Sequence, residues 1–423
     1  MALHSRNIFT VIELGTSKIC ALHGTCDKAG NPELLGFGGH PSEGSILKGA
    51  IADYNTALRI LDKALEDADK SAACSFDRRN VYYLLSGPSI SSRQGEGNTV
   101  IYDEDHKIKS SHIEEAISRA QSLSLSPNQI PFNAFDSYFT IDSSHRVKNP
   151  LGQVADRLDA YVHIISADRK PIETIRTMLR ELGFENGGEA VFSGIASAYG
   201  TLSSDEREHG TLLVDFGAGV CDYLVVHNEG VLLSGVLPIG TDNLANDLSI
   251  GLDLNMDFCR RLLRDGRIEE LRRTGHDFVE IPGVTADKQR RIPLVSFEKI
   301  IDMRLRETFS IIKEKVDTSN LAHLLGAGSV LCGGGALLPS ATDNMREVMG
   351  THVRRADVSG VSGAMTGIDR SPRYAALLGL LKYALEVESN PVRGGINRIG
   401  DALEGFAGTI EKSFGLFKKA FKI

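Results

Sequence analysis

Tryptophan is absent from the chain, and no uninterrupted apolar run approaches the roughly 18 residues needed to span a bilayer. The first residues, MALHSRNIFTVIELG, lack the apolar core of a signal peptide and run straight into a strand pattern. A cytoplasmic location is the expectation. Cysteine is scarce and unpatterned: Cys20, Cys26, Cys74, Cys221, Cys259 and Cys332 form no C-x-x-C. A disulfide framework and a zinc site are therefore not expected, and the twelve histidines supply no H-E-x-x-H. Positive charge is also short. A formal net charge of −8, with no basic arm interleaved with aromatics, argues against a nucleic-acid binder.

What is present is a length of 423 residues with 42% apolar content, enough for two or three cored domains. Two stretches share one form: TVIELGTSKICAL near the start and LVDFGAGVCDYLV some 200 residues later. Each is an apolar strand, a carboxylate, one residue, a glycine, two small residues and a second strand. Glu13 corresponds to Asp215, Gly15 to Gly217, Thr16 to Ala218 and Ser17 to Gly219. Such repetition predicts a duplicated domain.

The chemistry follows from sterics. A turn of glycine and small residues brings backbone N–H groups close to an anion such as phosphate. A carboxylate at the strand end suits a hydrated Mg²⁺, which keeps several waters and takes one or two carboxylates. Glu13 and Asp215 are the expected metal-holding pair through water, with Lys18 adding a point charge for phosphate. Either hairpin alone reads more readily as an ordinary glycine turn; it is the pair, followed by a third element, that favours phosphate. A third element, VLCGGGALLPS, places Gly333, Gly334, Gly335 and Ala336 after a strand, a flat surface for an adenine ring. Pro339 is then expected to open a helix.

This order resembles the actin, DnaK-chaperone and sugar-kinase superfamily, with FSGIASAYGTL (192–202) and YAALLGLLKYAL (374–385) as the two connecting helices. Within it the chain resembles the bacterial cell-division FtsA family. The likeness rests on IELGTSKICALHG, HPSEGSILKGAIAD, VKNPLGQVADRLDAYVHII (147–165), LPIGTDNLANDL (237–248) and IIDMRLRETFSIIKEKV. The resemblance implies an α/β, actin-like two-domain fold with duplicated ribonuclease-H-like sheets. Residues 1–86 and 163–203 would form the first domain, 87–162 an inserted small α+β subdomain, and 204–250 with 318–385 the second domain. Residues 251–317 would be a helical, basic subdomain and 386–395 a linker.

The resemblance further implies ATP and Mg²⁺ as cofactors, with Gly240 and Asn243 on a third phosphate-side loop. It implies filaments of the protein itself, other division proteins as partners, and binding of the FtsZ C-terminal tail, so that FtsZ is tethered to the inner face of the membrane at the division septum. Arg304 matches a basic residue of the tail site, and Lys299, Arg290 and Arg291 suit an acidic tail; without the family, this stretch reads as a solvated face. Two positions depart from the pattern. The helix over the nucleoside has Cys259 and Leu262 where the family places Glu and Lys, with Arg260 and Arg261 as neighbouring cations. Val220 stands where Thr is common. Alternatives of other kinds are a pilus-assembly relative and a small-molecule kinase, although no substrate base is identifiable. At most a slow ATPase is expected.

The C-terminal INRIGDALEGFAGTIEKSFGLFKKAFKI repeats Ile396, Ile399, Leu403, Phe406, Ile410, Phe414, Phe417 and Phe421 at steps of three and four. These fall on one helical face, with Lys412, Lys418, Lys419 and Lys422 on the other side or flanks. An amphipathic helix lying on an anionic membrane surface is expected, and four glycines predict that it forms only on lipid.

Overall fold

The computed structural model describes residues 7–27, 29–72, 80–122, 126–281, 290–363 and 366–389. The predicted membrane helix, with Phe406, Ile410, Phe414, Phe417, Phe421, Lys418, Lys419 and Lys422, lies outside them.

The duplication is visible in the sheet order. In the first sheet Pro32–Pro41, Lys18–Cys26 and Phe9–Leu14 make an antiparallel meander, followed by Val81–Leu85 and Glu189–Phe192 in parallel. In the second, Gly230–Leu237, Cys221–His227 and Thr211–Phe216 repeat the meander, followed by Ser329–Cys332 and Val353–Arg355. The strands next to the centre are buried on both faces, which is why the residues before each carboxylate, Val11 and Ile12 in one and Leu212, Leu213 and Val214 in the other, are apolar without alternation.

One helix follows the last strand of the first set directly, and a second comes later in the chain than Val353–Arg355. Ser193–Thr201 and Ala375–Ser389 are the connecting helices, and they cross in contact. A Cβ on Gly379 would sit 1.8 Å from the Ala196 carbonyl, and one on Gly200 would sit 2.3 Å from that of Ala375. Only glycine allows this approach.

Three partitions of the chain differ from expectation. The buried residues Ala356, Val358, Val361 and Ile368 and those of Ala375–Ser389 pack into the first core, not the second, and Ser362–Gly363 pairs with Pro32–Pro41. The chain crosses back before the second connecting helix, which then runs to Ser389 through the predicted start of the linker. The insert is a sheet of Ser91–Val100, Arg157–Asp168, Gln129–Ile141 and His145–Val147 under helix Ser110–Gln121. Its long Arg157–Asp168 strand passes through the expected boundary at 162 without a break. Finally, Pro339 does not open a helix: a short 3-10 turn, Gly334–Leu337, intervenes, and Ala341–Met349 starts after Ser340.

Candidate nucleotide cleft

The two hairpins meet across a cleft of about 1070 Å³. Their turns close identically: Gly15 N donates to Lys18 O and Gly217 N to Val220 O, each at 2.9 Å. The tips touch, since a Cβ on Gly219 would lie 2.3 Å from Thr16 Oγ1 and 2.9 Å from Lys48 Cα.

Each tip is also held from behind by the segment after its third strand. Ser42 donates through N to Ser17 O (3.2 Å) and through Oγ to Thr16 O. Thr241 N donates to Gly217 O (3.0 Å) and Asp242 N to Ala218 O (2.9 Å). The carbonyls that would repel an anion are thus already engaged at both tips.

Glu13 and Asp215 both line the cleft. Glu13 Oε1 accepts from Lys18 Nζ, while its Oε2 is buried with no hydrogen-bond partner. Asp215 accepts from Ser197 Oγ of the first connecting helix. Burial pushes the Asp215 carboxyl up to about 6; the Ser197 bond opposes this and the Glu13 charge adds to it. Burial works against the Lys18 charge, but the neighbouring Glu13 carboxylate outweighs it and the Lys18 pKa is raised. A buried, orphaned carboxylate oxygen beside a second carboxylate fits a hydrated divalent cation. Lys18 does not stand free for phosphate: it is paired with Glu13 and lies 5.2 Å from the Tyr374 ring centre.

Of the other expected residues, Gly15, Thr16, Ser17, Gly217, Ala218, Gly219, Gly333 and Gly334 line the cleft. Gly240, Asn243, Gly335 and Ala336 are not among the lining residues. Gly240 passes 2.2 Å (as a Cβ) from Ala218 O and is bonded through its N to Asn243 Oδ1, so both brace the second hairpin. Gly335 packs on Phe216, and Ala336 is fully buried. Gly333 needs to be glycine: φ is +80°, and a Cβ would meet Asp215 Oδ1 at 2.4 Å.

Cys259 and Leu262 do not face the cleft. Both are buried in the second core. The residues that line the cleft on that helix, Met256–Arg264, are Asp257, Arg260, Leu263 and Arg264. Asp257 and Arg260 form an acid–base pair three residues apart, joined at 3.3 Å, two positions before the expected one. A burial-phase count would have found it, because Cys259 and Leu262 are the apolar stripe.

Sequence reading also missed Asp222. It stands opposite Asp215 in the hairpin register, lines the cleft, and accepts from Ser86 Oγ across it. Burial first, then the Asp215 charge, raises its pKa well above the carboxylate range. Equal distance of residues 215 and 222 from the turn was the available signal.

Arg304 is not a free cation. Its Nε and Nη2 hold Asp247 at 2.6 and 2.8 Å, and Nη1 holds Glu307 at 2.7 Å. Arg291 pairs with Glu280 at 3.0 Å and Arg290 with Asp253 at 3.8 Å; Lys299 is exposed.

Comparison with known proteins places this architecture. A model of the SHS2 domain inserted in FtsA matches residues 87–166, and the model of cell division protein FtsA matches 212–379; together they take in more than half of the chain. The chain belongs to the FtsA family. It is 26% identical over 391 residues to cell division protein FtsA of Pseudomonas aeruginosa, covering 92% of each chain. The PilM component of a PilM–PilN type IV pilus biogenesis complex is similar in fold, with a TM-score of 0.61 at 15% identity over 90% of this chain and 99% of the other. MreB5 of Spiroplasma citri bound to ADP is similar at a TM-score of 0.52 and 12% identity, over 93% and 98%. The fold of this FtsA-family chain is actin-like, and the matched SHS2 span ends at 166, four residues past the expected boundary. Among the described residues no helix is long and apolar enough to cross a membrane.

Proposed function

We propose that this FtsA-family protein binds ATP with Mg²⁺ between its two hairpins, polymerises, and tethers FtsZ to the inner face of the cytoplasmic membrane at the division site. The observation that carries the nucleotide reading is the orphaned Glu13 Oε2 beside the raised Asp215 carboxyl, under two tips whose carbonyls are already engaged. Glu13 and Asp215 would hold the ion through its waters, and Gly15, Thr16, Ser17, Gly217, Ala218 and Gly219 would offer backbone donors to phosphate. Mg²⁺ supplies neutralisation of phosphate charge when bound. Lys18, paired with Glu13 here, would offer its charge to phosphate once that carboxylate is engaged with the hydrated ion. Gly333 and Gly334 would meet the base, and the Asp257–Arg260 pair the ribose side.

The partner reading rests on the basic subdomain. Exposed Ile250, Val295 and Met303 accompany Lys299, Arg290 and Arg291 there, an apolar and cationic surface suited to an acidic, partly apolar peptide such as the FtsZ tail. Ion pairs at an exposed rim exchange readily, so Arg290 and Arg291 can trade Asp253 and Glu280 for a partner's acids. Arg304 joins only by giving up Asp247. The tail 396–423, by its sequence pattern, would supply the membrane contact, and a filament carrying many copies would bind far more firmly than one.

Pelleting with anionic vesicles tests the whole reading. Full-length protein with ATP and Mg²⁺ is expected to pellet and to carry FtsZ with it. Protein lacking 396–423 should stay in the supernatant, and FtsZ lacking its tail should not follow. Pelleting unaffected by the deletion would overturn the tether.

A further inference from the structure

The insert touches both halves of the molecule. On the first half, Asn133 accepts from Phe192 N at 2.8 Å and donates to Ala190 O at 3.3 Å. On the second half, one side chain from each of its three long strands reaches Gly230–Leu237. Ser92 Oγ donates to Ser234 O at 2.7 Å, Ser137 Oγ donates to Val231 O at 2.6 Å, and His163 Nε2 lies 2.8 Å from Ser234 Oγ. Gly230–Leu237 is the edge strand of the second sheet, so these side chains take the place of a neighbouring strand. The contact is close: a Cβ on Gly230 would lie 2.2 Å from Ser137 O. His163, Ser137 and Ser234 are all buried. His163 Nδ1 has no partner, and burial lowers the imidazole pKa to about 4, so the ring docks neutral.

A second contact between the halves lies inside the cleft, where Ser86 Oγ donates to Asp222. The two contacts are joined on both sides. Ser86 and Ser92 are six residues apart, through a turn closed by Ile90 N on Gly87 O at 3.1 Å. On the other side Asp222 pairs with Val236, and Leu224 with Ser234, across a single strand boundary.

We propose that Ser86–Asp222 and the Ser92, Ser137 and His163 dock form one linkage, by which occupancy of the cleft sets the orientation of the insert. It rests on the nucleotide reading above. A ligand that parts Ser86 from Asp222 draws the root of the insert along the edge strand. By reciprocity, a partner that grips the insert's outer face changes nucleotide affinity by the same factor. The warrant is a contiguous chain of bonds with two ends in different sites.

The test uses full-length protein with Cys26 and Cys74 replaced by serine, and spin labels at Tyr102→Cys on the insert and Glu347→Cys on the second domain; Tyr102 and Glu347 are both exposed. Distances are measured by pulsed electron resonance with and without Mg²⁺ and a non-hydrolysable ATP analogue, and binding is followed in parallel by calorimetry. The expected result is a shift in mean distance of more than about 2 Å on binding. The Ser92→Ala/Ser137→Ala pair should lose the shift while still binding, and Ser92→Thr should keep it. Binding without a shift, or a full shift in the double variant, overturns the linkage alone. No binding in calorimetry overturns the nucleotide reading and the linkage with it.

Discussion

The two hairpins share a backbone and divide the chemistry. The first carries a cation and hydroxyls: Lys18 is paired with Glu13, and Thr16 and Ser17 form the tip. The second carries acids and almost no side chains at its tip: Asp215 and Asp222 face each other, and Gly219 passes under Thr16 and Lys48. Duplication thus supplied one cradle twice, and the side chains then specialised. One carboxylate is neutralised at rest by a lysine; the other is held by a serine hydroxyl in a site that disfavours its charge.

That asymmetry predicts opposite signs for matched substitutions. Asp215 titrates near 6 in the fold against an ordinary 3.8. For such a raised acid, the stabilising contribution is fully present below the ordinary value and is lost as pH rises through 6. At pH 7.5 its ionisation costs about 3 kcal/mol by that shift. Asp215→Asn should therefore raise the thermal midpoint of the nucleotide-free protein at pH 7.5, with the gain vanishing near pH 4. Glu13→Gln should lower it, by about 1–3 kcal/mol, because Lys18 is left half-buried without its partner. Thermal melts across pH check both; changes of equal sign would mean that the two carboxylates are equivalent.

The close pass of the tips is the next feature to break. Gly219→Ala places a methyl against Thr16 and Lys48 and should spread the hairpins, at about 1–3 kcal/mol, or roughly 5- to 150-fold in ATP affinity. Pairing it with Thr16→Gly should restore part of the loss. A pH series gives a smaller effect: Mg²⁺-supported ATP affinity should fall below pH 6, as Asp215 takes up its proton, and stay level above it. Smallest is Arg304→Ala. It leaves Asp247 unpaired at a partly exposed position, so stability should drop by about 1 kcal/mol or less, measured by urea melts.

Both hairpins and both connecting helices were legible because their signals are local: strand, carboxylate, small turn, strand; then small residues at helical spacing. Features set by distant partners were not legible. Arg304 is matched to Asp247, fifty-seven residues earlier, so a motif alone cannot show that its fork is taken. Asp257 was missed, and Arg260 was named only as a neighbour of Cys259 and Leu262, because the motif position does not show which face the helix buries. The return of Ala356, Val358, Val361 and Ile368 to the first core depends on where the chain crosses, which no window along the sequence contains.

The most direct measurement is calorimetry of ATP binding with and without Mg²⁺, on the unaltered protein and on Glu13→Gln and Asp215→Asn. The result expected is tight binding that depends on Mg²⁺ in the unaltered protein, and loss of that dependence in both variants. Equal affinity with and without the ion, or unchanged Mg²⁺ dependence in the variants, would contradict the two-carboxylate clamp.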